Sequence, residues 1–178
     1  MKAYTRLYEM LSEGLQRFAF SIVRSREIAE EIVSDVFIKV WQIRSRLNGI
    51  DNLKVYCYTI AKNFSINYLT RNYKNMVVSL ETLDVETVID FRGPADMCIS
   101  ADLVNQIYRV IAQLPPQCRL IFQLVKEDGL QYKEVAAILD LSPLTVRNQL
   151  AIAVRRIGET LPGYLQPGPS MVHKFSTS

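Results

Sequence analysis

The sequence predicts an all-α fold: two small helical domains joined by an acidic, flexible linker, the C-terminal one carrying a helix-turn-helix. Three observations lead there. Apolar residues recur at three- and four-residue spacing in both halves of the chain, and residues 1–75 show helices rather than alternating strands and helices. Charge falls into blocks: 12 basic and 7 acidic side chains over residues 1–75, 1 and 6 over 76–102, and 8 and 5 over 103–178, for net charges of +5, −5 and +3. Two basic blocks divided by an acidic strip suit two units that each face a polyanion. Finally, 178 residues with 49% hydrophobic content can fill two compact helical cores but not a large barrel enzyme.

The first element runs from Tyr4 to Val23, with Leu7, Leu11, Leu15, Phe18 and Ile22 on one stripe. A second helix follows over Arg26 to Arg44. Its apolar residues are Ile28, Ile32, Val33, Val36, Phe37, Val40 and Trp41, with Glu27, Glu30 and Glu31 loading the first turns and Lys39 and Arg44 the last, in the sense the helix dipole favours. Ile28, Ile32, Val36 and Val40 are read as core. Asp35, Phe37, Lys39 and Trp41 exceed what a core stripe needs, and an exposed face of that mixed character suits docking on another protein. Asn48-Gly49 and Asp51-Asn52 mark a loop over Ser45 to Asn52. Leu53 to about Asn72 then forms a third helix. Tyr56, Ile60, Phe64 and Tyr68 make an i, i+4 row, while Lys62, Asn63, Asn67, Arg71 and Lys74 gather on a polar sector suited to single-stranded nucleic acid: cations track phosphate, amides read base edges and aromatic faces accept bases. A core role for the aromatic row is the competing reading.

Residues 76–102 have weak periodicity, six acids and the Arg92-Gly93-Pro94 break, and are read as a linker that keeps the two domains from packing as one rigid body. Helical patterning resumes over Leu103 to Gln113. Pro115-Pro116 ends that helix and opens the next, from Gln117 to about Glu127. Tyr132 to Leu139 is a short helix and Asp140-Leu141 a turn. Ser142 is an N-cap with Pro143 at the first helical position of a longer helix through Ile157. Val146, Leu150, Val154 and Ile157 are expected inside, with Thr145, Arg147, Asn148, Ala151 and Arg155 outside. Small Ala151 between two cations lets the helix approach a DNA groove closely.

Several chemistries find no support. Cys57, Cys98 and Cys118 are odd in number and widely spaced, so neither a disulfide framework nor a zinc ribbon fits, and they are read as small buried hydrophobes. The sole histidine, His173, falls in a Pro-, Gly- and Ser-rich tail over 163–178 that is expected to be disordered. Glu27, Glu31 and Asp35 at i, i+4 and i+8 resemble a cation site for a metal-dependent nuclease, yet no second cluster completes it, and no metal or cofactor is expected. With no signal-like or membrane-spanning segment, the chain reads as cytoplasmic, without membrane insertion.

Three stretches in series resemble a known family, the bacterial RNA polymerase sigma factors of the extracytoplasmic-function class within the sigma-70 family. AEEIVSDVFIKVWQ (Ala29 to Gln42) resembles its polymerase-binding segment, NLKVYCYTIAKNFSINYLTR (Asn52 to Arg71) its promoter-melting and minus-ten-reading segment, and Leu114 to Ile157 region four, which reads the minus-thirty-five element. Asp140 stands where the family often has glycine, and Gln149 where a histidine is common in the recognition helix, so DNA preference does not transfer from better-known members. The resemblance implies a non-enzymatic transcription initiation factor. Residues 1–75 would be region two and 103–162 region four. Its partners would be core RNA polymerase, promoter DNA as duplex and as melted non-template strand, and a membrane-bound anti-sigma factor where one exists. Asp35, Phe37, Lys39, Val40 and Trp41 would bind core polymerase; Asn48, Asn52, Lys62, Asn63, Asn67, Arg71 and Lys74 minus-ten DNA; and Ser142, Thr145, Arg147, Asn148, Ala151 and Arg155 minus-thirty-five DNA. A regulator with a sensor domain is the alternative that the helical first block disfavours.

Overall fold

The computed structural model describes residues 2–72 and 101–160, and among these the regular structure is entirely helical. Three helices form the first unit: α1 (Lys2–Val23), α2 (Arg26–Gln42) and α3 (Leu53–Asn72), with a 3₁₀ helix over Arg44–Gly49 where the sequence suggests only a loop. Four form the second: α4 (Ala101–Ala112), α5 (Pro116–Lys126), α6 (Tyr132–Leu139) and α7 (Pro143–Thr160). Helix α4 thus begins two residues inside the expected linker. The rest of that linker, Lys74 and the expected disordered tail lie outside the described residues.

Periodicity sets the core of the first unit. Leu11, Leu15, Phe18, Ala19 and Ile22 are buried along α1, and Ala29, Ile32, Val33, Val36, Phe37 and Val40 along α2. The α1–α2 corner turns at Arg24, in the left-handed region at φ 57°, and Ser25 caps α2 by accepting from the Ile28 N–H at 3.3 Å. On α3 the buried row is Cys57, Tyr58, Ala61, Lys62, Ser65 and Leu69. Small residues at 57, 61 and 65 let α3 lie close against α1 and α2. The aromatic row Tyr56, Phe64 and Tyr68 is only half-buried, at the margin of that contact.

In the second unit, Cys118, Leu120, Ile121 and Leu124 of α5 pack with Val135, Ile138 and Leu139 of α6 and Val146, Leu150 and Ala153 of α7. Asp140 turns the chain between α6 and α7 at φ 57° and ψ 42°, a left-handed conformation that Asp tolerates, and the Leu141 N–H closes the turn on the Ala136 carbonyl at 2.9 Å. Ser142 Oγ then accepts from the Thr145 N–H at 3.0 Å as the N-cap of α7. The expected inner row needs one correction: Ala153 is fully buried whereas Val154 is 37% exposed. After Val146 and Leu150 the inward line continues at i+3 to Ala153, because a straight α-helix advances 3.6 residues per turn.

The two units pack against each other, so the free chain adopts a closed arrangement, which a linker that only keeps them from forming one rigid body leaves open to it. Helix α6 lies on α3, and the end of α5 approaches α1. Side chains more than 70 residues apart are joined there: Arg17 to Asp128, Lys54 to the Asp128 backbone, Asn52 to Glu134 and Lys62 to Asp140.

Candidate nucleic-acid interface

Helix α7 presents the most complete candidate surface. Its inward row fixes its rotation, so Arg147, Asn148, Ala151 and Arg155 are exposed and Thr145 is half-exposed on the opposite side. Arg155 is held by an i, i+4 pair to Glu159 at 3.5 Å, an exposed pairing of little net worth that a phosphate can replace. The Ser142 hydroxyl is engaged as a cap and also lies 2.8 Å from Thr145 Oγ1, so its first role is to hold the N-terminal turn. Beside this row an open groove between the N-termini of α6 and α7 is lined by Gln131, Lys133, Leu144 and Arg147. Lys133 adds a cation that the sequence reading did not single out; its place on the first helix of a helix-turn-helix, which crosses the DNA backbone, is the signal that identifies it.

On α3, Asn63, Asn67 and Arg71 are exposed along one line at i, i+4 and i+8. Lys62 is different: it is 5% exposed, with its ammonium paired to the Asp140 carboxylate in the turn of the helix-turn-helix. It is not available to a nucleic acid in this arrangement, because α6 covers this side of α3. Asn48 is exposed on the 3₁₀ helix. Asn52 serves as the N-cap of α3, accepting from the Val55 N–H at 3.0 Å, while its amide donates to Glu134 Oε1 at 2.5 Å.

The α2 surface sorts differently from the sequence expectation. Asp35, Lys39 and Trp41 face solvent, but Phe37 is 3% and Val40 0% exposed, so these two support the surface from beneath rather than lie on it. They share the inward i, i+3, i+4 line with Val33 and Val36, and the outward positions fall to their neighbours. Ile38, 53% exposed, takes the place assigned to them, and Tyr8 of α1 extends the patch. Tyr4 packs edge-on against Trp41 at 5.2 Å between ring centroids and donates its hydroxyl to the Phe37 carbonyl at 2.9 Å. Burial raises the Tyr4 pKa, which keeps that donor protonated. The Arg44 guanidinium lies 4.9 Å above the Trp41 ring, and its N–H reaches the Trp41 carbonyl. An aromatic anchor flanked by Asp35, Lys39 and Arg44 is the composition of a protein-docking face. Glu27, Glu30, Glu31, Ser34 and Asp35 line an open acidic surface farther along α2.

Comparison with known proteins finds one family in both halves of the chain. Residues 7–75 match the family model described as Sigma-70 region 2, and residues 105–157 the model described as Sigma-70, region 4. The two matches together take in more than half of the chain. The ECF RNA polymerase sigma-E factor of Escherichia coli strain K12 is 28% identical over 144 residues, covering 77% of this chain and 73% of that protein. The sigma-E factor of Haemophilus influenzae is 27% identical over 150 residues, covering 80% and 77%. Among solved structures, the sigma factor RpoE in complex with the anti-sigma factor NepR from Bartonella quintana superposes with a TM-score of 0.61 at 19% identity, covering 93% of this chain and all of that one. CnrH in complex with the cytosolic domain of CnrY gives 0.56 at 18% identity, covering 89% and 86%. With both family segments present in order and sigma-E factors among its relatives, this chain belongs to the sigma-70 family, in its extracytoplasmic-function group, and is a promoter-specific transcription initiation factor that acts with RNA polymerase.

Proposed function

We propose a residue-level division of labour for this initiation factor. The observation that carries it is the row Thr145, Arg147, Asn148, Ala151 and Arg155 on the solvent face of a capped recognition helix. That helix enters the major groove of the minus-thirty-five element, with its N-terminal half at base edges and Arg155 nearer phosphate. Asn63, Asn67 and Arg71, with Asn48, Asn52, Lys62 and Lys74, take up the melted minus-ten strand. Asp35, Ile38, Lys39 and Trp41 make the direct contact with core polymerase, held in place by Phe37 and Val40. Residues 1–75 and 103–162 act as the two functional units. The chain itself performs no catalytic step, and polymerase does the chemistry.

This reading places the protein in the cytoplasm. Among the described residues, no helix is long and apolar enough to cross a membrane. Both superposed sigma factors were captured with a partner, NepR in one case and the cytosolic domain of CnrY in the other, which supports an anti-sigma factor as a partner here as well.

Runoff transcription with core polymerase on DNA from the same genome tests the whole reading, the expected result being promoter-specific transcripts only when this protein is added. Asp35→Lys tests the docking face. It lies outside the core, so the variant should fold normally yet compete poorly for core polymerase; normal competition would overturn the assignment.

A further inference from the structure

The contact between the two units is built around one carboxylate, and a glycine makes room for it. Asp128 lies in the turn between α5 and α6, but its side chain is only 1% exposed. Groups from two helices of the other unit surround it. Arg17 of α1 donates from Nη2 to Asp128 Oδ1 at 2.9 Å, Lys54 of α3 donates to the Asp128 backbone carbonyl, and the Tyr58 hydroxyl of α3 meets the carboxylate. Gly14 of α1 forms the floor. A Cβ at Gly14 would lie 2.4 Å from the Tyr58 oxygen and 3.1 Å from Asp128 Oδ1, the first distance impossible and the second tight. Glycine is a poor residue for a helix interior, and this close approach explains its presence there. A carboxylate is buried at a cost unless partners meet it, and here Arg17 meets Oδ1 while Oδ2 makes no hydrogen bond, so the side chain is held by the Arg17 pairing and by its fit over Gly14. On the same interface, Lys62 is paired with Asp140 and Asn52 with Glu134.

We propose that Asp128 seated over Gly14 is a latch that holds the free protein closed and withholds Lys62 and Asn52 from the melted promoter strand until α6 leaves α3. The withholding rests on the assignment of α3 to the minus-ten strand, whereas the latch rests on the contacts alone. The latch acts selectively: Arg147, Asn148, Ala151 and Arg155 on α7 remain exposed in the closed arrangement.

The test uses the full chain with Cys98 replaced by serine and spin labels on cysteines placed at exposed Met10 and Gln113, one in each unit. Cys57 and Cys118 are buried and stay unlabelled. Pulsed dipolar spectroscopy should give one short, narrow distance distribution for this parent. Asp128→Ala should move the main population to longer distances, and so should Gly14→Ala. Because the new methyl group would also press on Tyr58 within the first unit, Gly14→Ala is repeated on a Tyr58→Phe background. There the colliding oxygen is gone and the remaining new clash is with Asp128; because Tyr58→Phe also removes a hydroxyl from the carboxylate, the double variant is compared with Tyr58→Phe alone, while circular dichroism reports whether the helices are intact. Unchanged distances in both Asp128→Ala and the double variant would overturn the latch. A second readout is binding of a minus-ten non-template oligonucleotide to the free protein. A closed population of about 90% would weaken apparent affinity about tenfold, so the opened variants should bind more tightly by a factor of that order. Longer distances with unchanged oligonucleotide affinity would overturn the withholding. Longer distances with no oligonucleotide binding by any variant would support the latch and overturn the assignment of α3.

Discussion

Arg147 and Arg155 lie on the same outward row of α7 but should do different work. Arg147 is in the half of the helix that enters the groove, where a bidentate contact to guanine is worth about 1–3 kcal/mol of discrimination. Arg147→Ala should therefore relax preference at one or two positions of the upstream element, as read by selection from a promoter library; an unchanged preference would remove it from the reading set. Arg155→Ala should weaken binding across all sequences and lower the logarithmic salt slope by about 0.9 if it meets one phosphate of the duplex. Cysteine chemistry is the other residue-scale expectation. Burial pushes the Cys57 thiol up to about 11 and raises Cys118, whose Sγ–H donates to the Gln149 carbonyl at 3.0 Å. Because the thiolate is the reactive form, both should resist alkylation near neutral pH until the protein unfolds, which peptide mapping by mass spectrometry would show. This agrees with the sequence reading of Cys57 and Cys118 as small buried hydrophobes.

Helices were legible from apolar period, and their faces were legible only where a helix has one buried side. On α7 the pattern gave Val146 and Leu150 correctly and then slipped to Val154, because Ala153 carries little hydrophobic signal although it fills the inward position. The unfolding consequence is sharp: Leu150→Ala should cost about 2–5 kcal/mol in urea denaturation, whereas Val154→Ala should stay within about 0.5 kcal/mol. Helix α3 shows the harder case. It is covered by α1 and α2 on one side and by α6 on another, so no single stripe defines its inside, and an aromatic row at perfect spacing proves half-buried while Lys62 is buried. On α2 the stripe was wide enough to include both Phe37 and Trp41. Composition could not say that the first lies beneath the patch and the second on it. The helix-turn-helix was clearest because caps, turn and period all agree there: Ser142, Pro143, left-handed Asp140 and the Val146–Leu150 line each point to the same geometry.

At the scale of the whole molecule, which surfaces meet in the closed arrangement was hidden from sequence because the contact includes polar pairs separated by 74 to 111 residues. A glycine in the middle of α1 was the one local sign of it. The same interface sets a pH dependence whose sign can be worked out. Burial raises the Asp128 carboxyl above its ordinary value of 3.8, outweighing Arg17, Tyr58 and Lys54, which all favour the charged form. The groups facing it are Arg17 from α1 and Lys54 and Tyr58 from α3, while Glu13 of α1 and neighbouring Glu127 pair with Arg17. Burial also raises Tyr58, so its hydroxyl stays protonated throughout this range. The closed form therefore holds the Asp128 proton more tightly than the open form. Closure is most favoured below about pH 3.8, weakens as pH rises through the raised value, and is level above it. The spin-label pair measured from about pH 3.5 to about pH 7, within the range where circular dichroism reports intact helices, should show the open fraction increasing with pH and then levelling. Asp128→Asn, which keeps the shape and removes the titration, should flatten that rise. An open fraction that instead falls as pH rises would mean that the Arg17 pairing outweighs burial, and that the closed form is held by the ionised carboxylate.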